Sequence, residues 1–181
     1  INICIETHLM NIDEELAVFL KQAGVKLIYV GIESADDDVR KDAKRTSDTN
    51  QNQINKVKYI ESKGIRVKAM YIIGMPSDTK EKFINTVNFS KKVRSTYAQF
   101  SVFTPYPGTP VFKEYKDKII TNKFENFTQW ELVFKHNHLS KMDVSNLLDY
   151  SYKNYYTNPR WIIHFIKMKI KEIYENLFNR A

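Results

Sequence analysis

Apolar and polar positions fall into blocks whose spacing changes along the chain. Residues 1–9 mix β-branched and apolar side chains and predict a strand. Leu16, Phe19 and Leu20 recur at helical spacing behind Asn11 and Asp13, either of which can cap a first turn. A helix over 13–23 follows, ended by Gly24. Residues 26–32 form a near-continuous apolar run, which suits a strand covered on both faces. Asp36, Asp37 and Asp38 favour a short helix to residue 43, and 44–49 read as loop. A longer helix over 50–63 carries Ile54, Val57 and Ile60 on one face and stops at Gly64. Residues 66–73 predict the next strand. After a turn from Gly74 to Thr79, Ser77 or Asp78 can cap a helix over 79–94, with Phe83, Val87 and Phe89 or Ser90 inward. Residues 97–103 predict a fourth strand, and 104–110, with three Pro and one Gly, can continue neither pattern.

Strand and helix therefore alternate, with connections too long for hairpins. That order predicts a parallel sheet with right-handed crossovers. Past residue 110 the pattern changes. Phe112 and Tyr115 suggest a short helix. Residues 118–136, around Phe124, Phe127, Trp130 and Phe134, suit either a strand pair or an extended loop. Ser140 followed by Asp143 predicts a capped helix over 141–156, and Asn158-Pro159 separates it from another over 159–179. The expected division is 1–110 and a mainly helical 111–181.

Composition narrows the chemistry. The 181 residues include 28 Lys and Arg against 21 Asp and Glu, a net charge of +7 that permits an acidic partner but is equally a Lys-rich solvated surface. The single Cys4 excludes a disulfide framework, a zinc ribbon and an iron–sulfur cluster held wholly by this chain. No apolar run reaches the roughly 18 residues of a membrane span. The chain opens on the strand-like Ile1-Asn2-Ile3-Cys4-Ile5, which reads as a piece of a longer protein.

Candidate chemistry gathers at one end of the predicted sheet. Glu6-Thr7-His8, Glu33-Ser34, Gly74-Met75-Pro76 and Thr104-Pro105 all follow strands, and ligands of parallel α/β folds bind at the carboxyl ends of strands. Glu33 is the sharpest, because a carboxylate ending a buried run must find donors or a cation. Ribose hydroxyls or an amino group would serve, and so would a helix cap. His8 suits an anion or plain surface. Gly74 can admit a flat ligand or simply make a turn. His136 and His138 lack a partner Cys and suggest no metal site, and neither GxGxxG nor GxxxxGK occurs.

Four segments together resemble a known family. GIES at 31–34, KRT at 44–46, IIGMPSDT at 72–79 and AQFSVFTPYPGTPVF at 98–112 are similar, in order and spacing, to the radical S-adenosylmethionine (radical SAM) superfamily, and most to its cobalamin-binding branch. YSYKNYYTNPRW at 150–161 resembles the end of the same branch. The resemblance implies an α/β fold: a partial (β/α) barrel of parallel strands, the last four βα units of six, with a helical C-terminal extension. The CxxxCxxC loop that binds a 4Fe-4S cluster would belong to the two strands upstream, and Cys4 matches no cluster ligand. S-adenosylmethionine would meet Glu33 and Ser34 through its ribose and methionine part, and Ile72, Ile73 and Gly74 through adenine. Gln99, Ser101 and Thr104 would lie near adenine and substrate. Met70 and Ser77 stand where the family often has Gly, and His8 where the branch often has Arg.

By that resemblance the protein is a cytoplasmic enzyme that cleaves S-adenosylmethionine reductively and modifies a small-molecule or lipid-like substrate, with cobalamin-dependent methyl transfer as one form. Its implied partners are the substrate, an upstream part of the same protein, and an electron donor such as a flavodoxin or ferredoxin. No nucleic acid is expected. The alternative is a non-catalytic barrel acting by interaction. A lyase or aldolase barrel would want a lysine at a strand end, and Lys68 is mid-strand. The last helix sets Trp161, Ile162, Phe165, Ile166, Ile173, Leu177 and Phe178 among Lys167, Lys169, Lys171 and Arg180. This pattern suits an anionic membrane surface, though such stripes more often pack on protein.

Overall fold

The computed structural model describes residues 2–42, 44 and 48–178, with side chains to residue 174. Ile1, Arg45 and Thr46 of the KRT segment, Arg180, and the side chains of Leu177 and Phe178 lie outside the described residues. Strands β1 (Ile3–His8), β2 (Val25–Glu33), β3 (Arg66–Ile73) and β4 (Tyr97–Val102) form one parallel sheet in chain order. The crossovers are α1 (Glu14–Gln22), α2 (Asp37–Asp42) with α3 (Asn50–Ser62), and α4 (Lys80–Val93). Then come α5 (Pro110–Tyr115), α6 (Lys141–Tyr156) and α7 (Pro159–Phe178). The sheet is part of a (β/α) barrel.

Side chains on β3 sort strictly by parity. Val67, Ala69, Tyr71 and Ile73 are fully buried on the helix side, while Arg66, Lys68, Met70 and Ile72 are half-buried on the inner side. The register extends this inner face across the sheet as rows. Glu6, Tyr29, Lys68 and Tyr97 form one row, and His8, Gly31, Met70 and Gln99 the next. Polar residues at alternate strand positions thus line a half-buried face, with Glu172 of α7 reaching Arg66 at its edge.

Helix starts follow side-chain caps. Asp13 accepts from Leu16 N at 2.7 Å, Thr49 from Asn52 N at 3.2 Å, and Ser140 and Asp143 form a reciprocal capping box. At α4 the cap is Thr79, which accepts from Lys82 N, and not Ser77 or Asp78. The Asp78 carboxylate instead accepts from Gly74 N in the preceding turn, and Ser77 is tied through its backbone N–H to Asp42 at the end of α2. On α1 the expected inward face is only partly inward. Ala17 is buried, whereas Leu16 and Phe19 are exposed. Residues 118–136 form an irregular segment with one antiparallel bridge between Ile119 and Phe134.

β4 is a sheet edge, and α6 closes it with tyrosines. The Tyr156 hydroxyl accepts from Ala98 N at 2.9 Å and donates to Ala98 O at 2.8 Å. The Tyr152 hydroxyl does the same for Phe100, at 3.1 and 3.0 Å. Val102 N donates to Gln129 O at 2.7 Å. Two residues of strand advance about 6.6 Å and four of helix about 6 Å, so hydroxyls at i and i+4 match alternate edge residues. The edge groups that would recruit another strand are thereby satisfied.

Candidate cofactor site

The inner face ends at a distortion in β2. Gly31 pairs with Met70, but the next pairing is Glu33 with Tyr71, so one residue is extra on β2. Such a bulge re-aims the side chain that follows it. Glu33 has φ 65°, a left-handed conformation uncommon for a residue with a side chain. Its carboxylate folds back over Gly31: a Cβ at position 31 would lie 2.5 Å from Glu33 Oε1. Glu33 is buried, and with Glu6, Thr7, His8, Gly31 and Met70 it lines a cleft of about 360 Å³ on the inner face. Small-molecule sites measure roughly 300–1,000 Å³.

A local strain of about 1–3 kcal/mol persists only where the surroundings hold it. Here the turn after β2 is bonded from three sides. Thr86 Oγ1 on α4 donates to Lys82 O, so it accepts from both Ser34 Oγ (2.9 Å) and Ala35 N (3.0 Å). Ser34 Oγ in turn accepts from Asp36 N at 3.1 Å. Arg40 is buried at 3% exposure, and its guanidinium donates to Ser34 O at 2.7 Å, to Asn50 Oδ1 at 2.8 Å and to Asp37. Asn50 Nδ2 donates to Ala35 O at 3.0 Å.

The structure brings Glu33, Ile72, Gln99 and Ser101 to the inner side of the strand ends. Ile72 pairs with Ser101, and Gln99 Nε2 donates to Ser101 Oγ at 3.0 Å. Ile73 is on the opposite, helix-covered side, fully buried. Ser34 is buried with its hydroxyl in the Thr86 network, and Thr104 Oγ1 donates to Val102 O at 3.0 Å. Gly74 has φ 82°, a conformation natural to glycine, and donates its N–H to Asp78 Oδ2 at 3.0 Å.

Arg40, Thr86 and Asp78 were not signalled by the sequence as site residues. Each works through contacts far along the chain or through burial. The Asp78 carboxyl is pushed up to about 7 by burial, against the lowering effect of the Gly74 and Thr79 amides. His136 lies behind this turn. Its Nδ1 accepts from His138 N at 3.0 Å and Leu139 N at 3.1 Å, so the proton is on Nε2, which donates to Met75 O at 2.8 Å. Burial lowers its pKa, and both ring nitrogens are occupied by backbone. Lys68 is mid-strand on the inner face with its ammonium 5.1 Å from the centre of the Tyr29 ring. Among the described residues no three His, Cys, Asp or Glu are grouped to hold a metal.

Residues 1–90 match the Radical SAM superfamily. An uncharacterized methyltransferase of Pyrococcus horikoshii is 32% identical over 167 residues, covering 91% of this chain and 34% of that protein. Bacteriochlorophyllide d C-12(1)-methyltransferase of Chlorobaculum tepidum is 28% identical over 121 residues, covering 67% of this chain and 26% of its own. The chain thus spans about a third or less of these relatives' length. Among solved structures, the radical S-adenosylmethionine methyltransferase TsrM from Kitasatospora setae, with tryptophan substrate and a SAM analog bound, superposes with a TM-score of 0.59 at 22% identity, over 65% of this chain and 23% of its own. Coproporphyrinogen III oxidase of Escherichia coli superposes with a TM-score of 0.56 at 19% identity, over 83% of this chain and 32% of its own. At such identities these structures bear on the fold alone, and they agree with the partial barrel described above. Sequence and fold together place the chain in the radical SAM superfamily of enzymes.

Proposed function

We propose that this chain is the part of a cobalamin-linked radical SAM enzyme that holds S-adenosylmethionine for reductive cleavage and for modification of a small-molecule or lipid-like substrate, with methyl transfer as the reaction. The observation that carries this reading is the Glu33 carboxylate, re-aimed by a bulge onto the inner face and seated over Gly31. Two methyltransferases among the relatives support the reaction.

The residues present fit S-adenosylmethionine. A buried carboxylate on a polar inner face is an acceptor for ribose hydroxyls or for the methionine ammonium. Ile72, half-buried on the same inner face, offers an apolar surface, while Gly74 is buried facing Leu132 and serves the turn. Gln99, Ser101 and Thr104 stand at the β4 end, towards substrate. Ser34 acts by fixing the turn that aims Glu33. When bound, the sulfonium supplies a C–S bond that one-electron reduction can break. The share of this chain is to bind, orient and shield that group.

The residues do not fit the cluster. One Cys, exposed on β1, cannot supply three thiolates. The cluster ligands, and cobalamin, belong in this reading to other parts of the protein. The division into a barrel part, 1–110, and a helical region, 111–181, belongs to the same reading, as do the electron donor (a flavodoxin or ferredoxin) and a cytoplasmic location. No helix of the described residues is long and apolar enough to cross a membrane. Calorimetric titration of S-adenosylmethionine into the complete protein, with and without Glu33, tests the reading.

A further inference from the structure

α7 turns a mixed face towards the body of the protein, with Trp161 packed on the core and on Tyr156 and Phe165 stacked on Trp161, and turns a row of isoleucines away from it. His164 Nε2 is 3.2 Å from Glu61 Oε2, and Glu61 Oε1 also accepts from Thr96 N at 2.6 Å and Thr96 Oγ1 at 2.7 Å. Trp161 Nε1 donates to Thr96 O at 3.2 Å, and Glu172 pairs with Arg66. Trp161 and Phe165 are half-buried. Of the apolar residues expected along this helix, Trp161 and Phe165 thus pack on protein, while the isoleucines are open. Ile162, Ile163, Ile166, Ile170, Ile173 and Tyr174 are 40–62% exposed. At about 100° per residue they form one stripe about 120° wide, the width of a buried helix face.

Charge says what suits this stripe. Arg160, Lys167 and Lys171 are exposed along one flank, and Lys169 stands on the other, bonded to Glu172 at 3.1 Å. Among the described side chains of α7 the one acid, Glu172, faces Arg66 and Lys169 and not solvent at the stripe. Lys21 and Lys26 line the cleft between α7 and the sheet with Lys167 and Lys171. Among the described side chains the exposed isoleucine row is bordered by cations, which is complementary to apolar chains beneath an anionic headgroup layer.

We propose that α7 lies on an anionic bilayer surface, its isoleucine stripe entering the acyl boundary and Arg160, Lys167 and Lys171 meeting the headgroups. This is an in-plane association, and it stands independently of the cofactor reading.

The test is co-sedimentation of the complete protein with phosphatidylcholine–phosphatidylglycerol vesicles and with phosphatidylcholine alone. The protein should pellet with the anionic vesicles at low salt and be largely released at 1 M salt, where screening acts within about 3 Å. Ile166→Asn/Ile170→Asn/Ile173→Asn should stay in the supernatant while keeping the far-ultraviolet circular dichroism of the parent. Lys167→Gln/Lys171→Gln should bind about fivefold more weakly per lysine. A parent protein that ignores anionic vesicles at low salt overturns the proposal. So does an isoleucine variant that still binds them. If the parent ignores vesicles and the variant is insoluble, the stripe is a packing face within the complete protein. If the parent is a dimer that the variant splits, and vesicles are ignored, a second copy covers it.

Discussion

The Glu33 carboxylate occupies the space above Gly31, with Oε1 2.5 Å from where a Cβ would be. The atom in the way is the far end of a flexible side chain, and Gly31 does not have a positive φ. Gly31→Ala should therefore leave the fold intact and move the carboxylate. In the complete protein it should weaken S-adenosylmethionine binding about as much as Glu33→Ala does. The double variant should show little further loss, because residues in direct contact are not additive. Isothermal calorimetry on the two single variants and the double checks this; full additivity would detach Gly31 from the role of Glu33.

Thr86 is joined to Glu33 only through the turn that follows β2. Thr86→Val keeps the shape but removes the acceptor for Ser34 Oγ and Ala35 N. Leaving such groups unpaired costs about 1–3 kcal/mol. Chemical denaturation should show that loss, accompanied by weaker cofactor binding although Thr86 touches no cofactor in this account. Unchanged binding would mean that the turn holds its shape without Thr86.

The tyrosine hydroxyls on the β4 edge make a separate prediction. Tyr156→Phe leaves Ala98 N–H and C=O without their partner. The expected cost is again about 1–3 kcal/mol. Hydrogen exchange should accelerate at Ala98 in Tyr156→Phe and at Phe100 in Tyr152→Phe, with each amide responding to its own tyrosine. Uniform acceleration across the sheet would indicate general loosening.

Asp78 links the β3–α4 turn to pH. Burial raises its folded-state pKa to about 7 from an ordinary 3.8. The neutral acid is the form the fold tolerates, so its contribution is fully present below about pH 4. It declines as pH rises and is lost above about 7. Relative to Asp78→Asn, the parent protein should lose on the order of a few kcal/mol between those limits and then level off. Urea denaturation across that range measures the difference, and a constant difference would place the ionised form in a better solvated site.

Periodicity made most of the barrel legible. The apolar run at 66–73 is β3 to the residue, and Ile54, Val57 and Ile60 are buried together as their spacing requires. Periodicity also located Glu33, because a carboxylate closing an apolar run is conspicuous. It could not show the bulge that aims Glu33, since a bulge is a register between two strands. Arg40 and Thr86 were hidden for a similar reason: each meets the Glu33–Ser34 turn through folding, and neither breaks a local pattern. The stripe on α7 was visible, but the direction it faces depends on Glu61 and Arg66, about a hundred residues away in the chain. The α4 cap fell to Thr79, whose hydroxyl accepts from Lys82 N, while the Asp78 carboxylate is taken by the Gly74 amide.

The most direct measurement is the affinity of the complete, cluster-loaded protein for S-adenosylmethionine, by calorimetry, with Glu33 and with Glu33→Ala. One charged hydrogen bond to a buried partner contributes roughly 1.5–3 kcal/mol, so the variant should bind about 10–150-fold more weakly with an unchanged melting temperature. Equal affinity in the two proteins would contradict the account and leave Glu33 as a cap for its own turn.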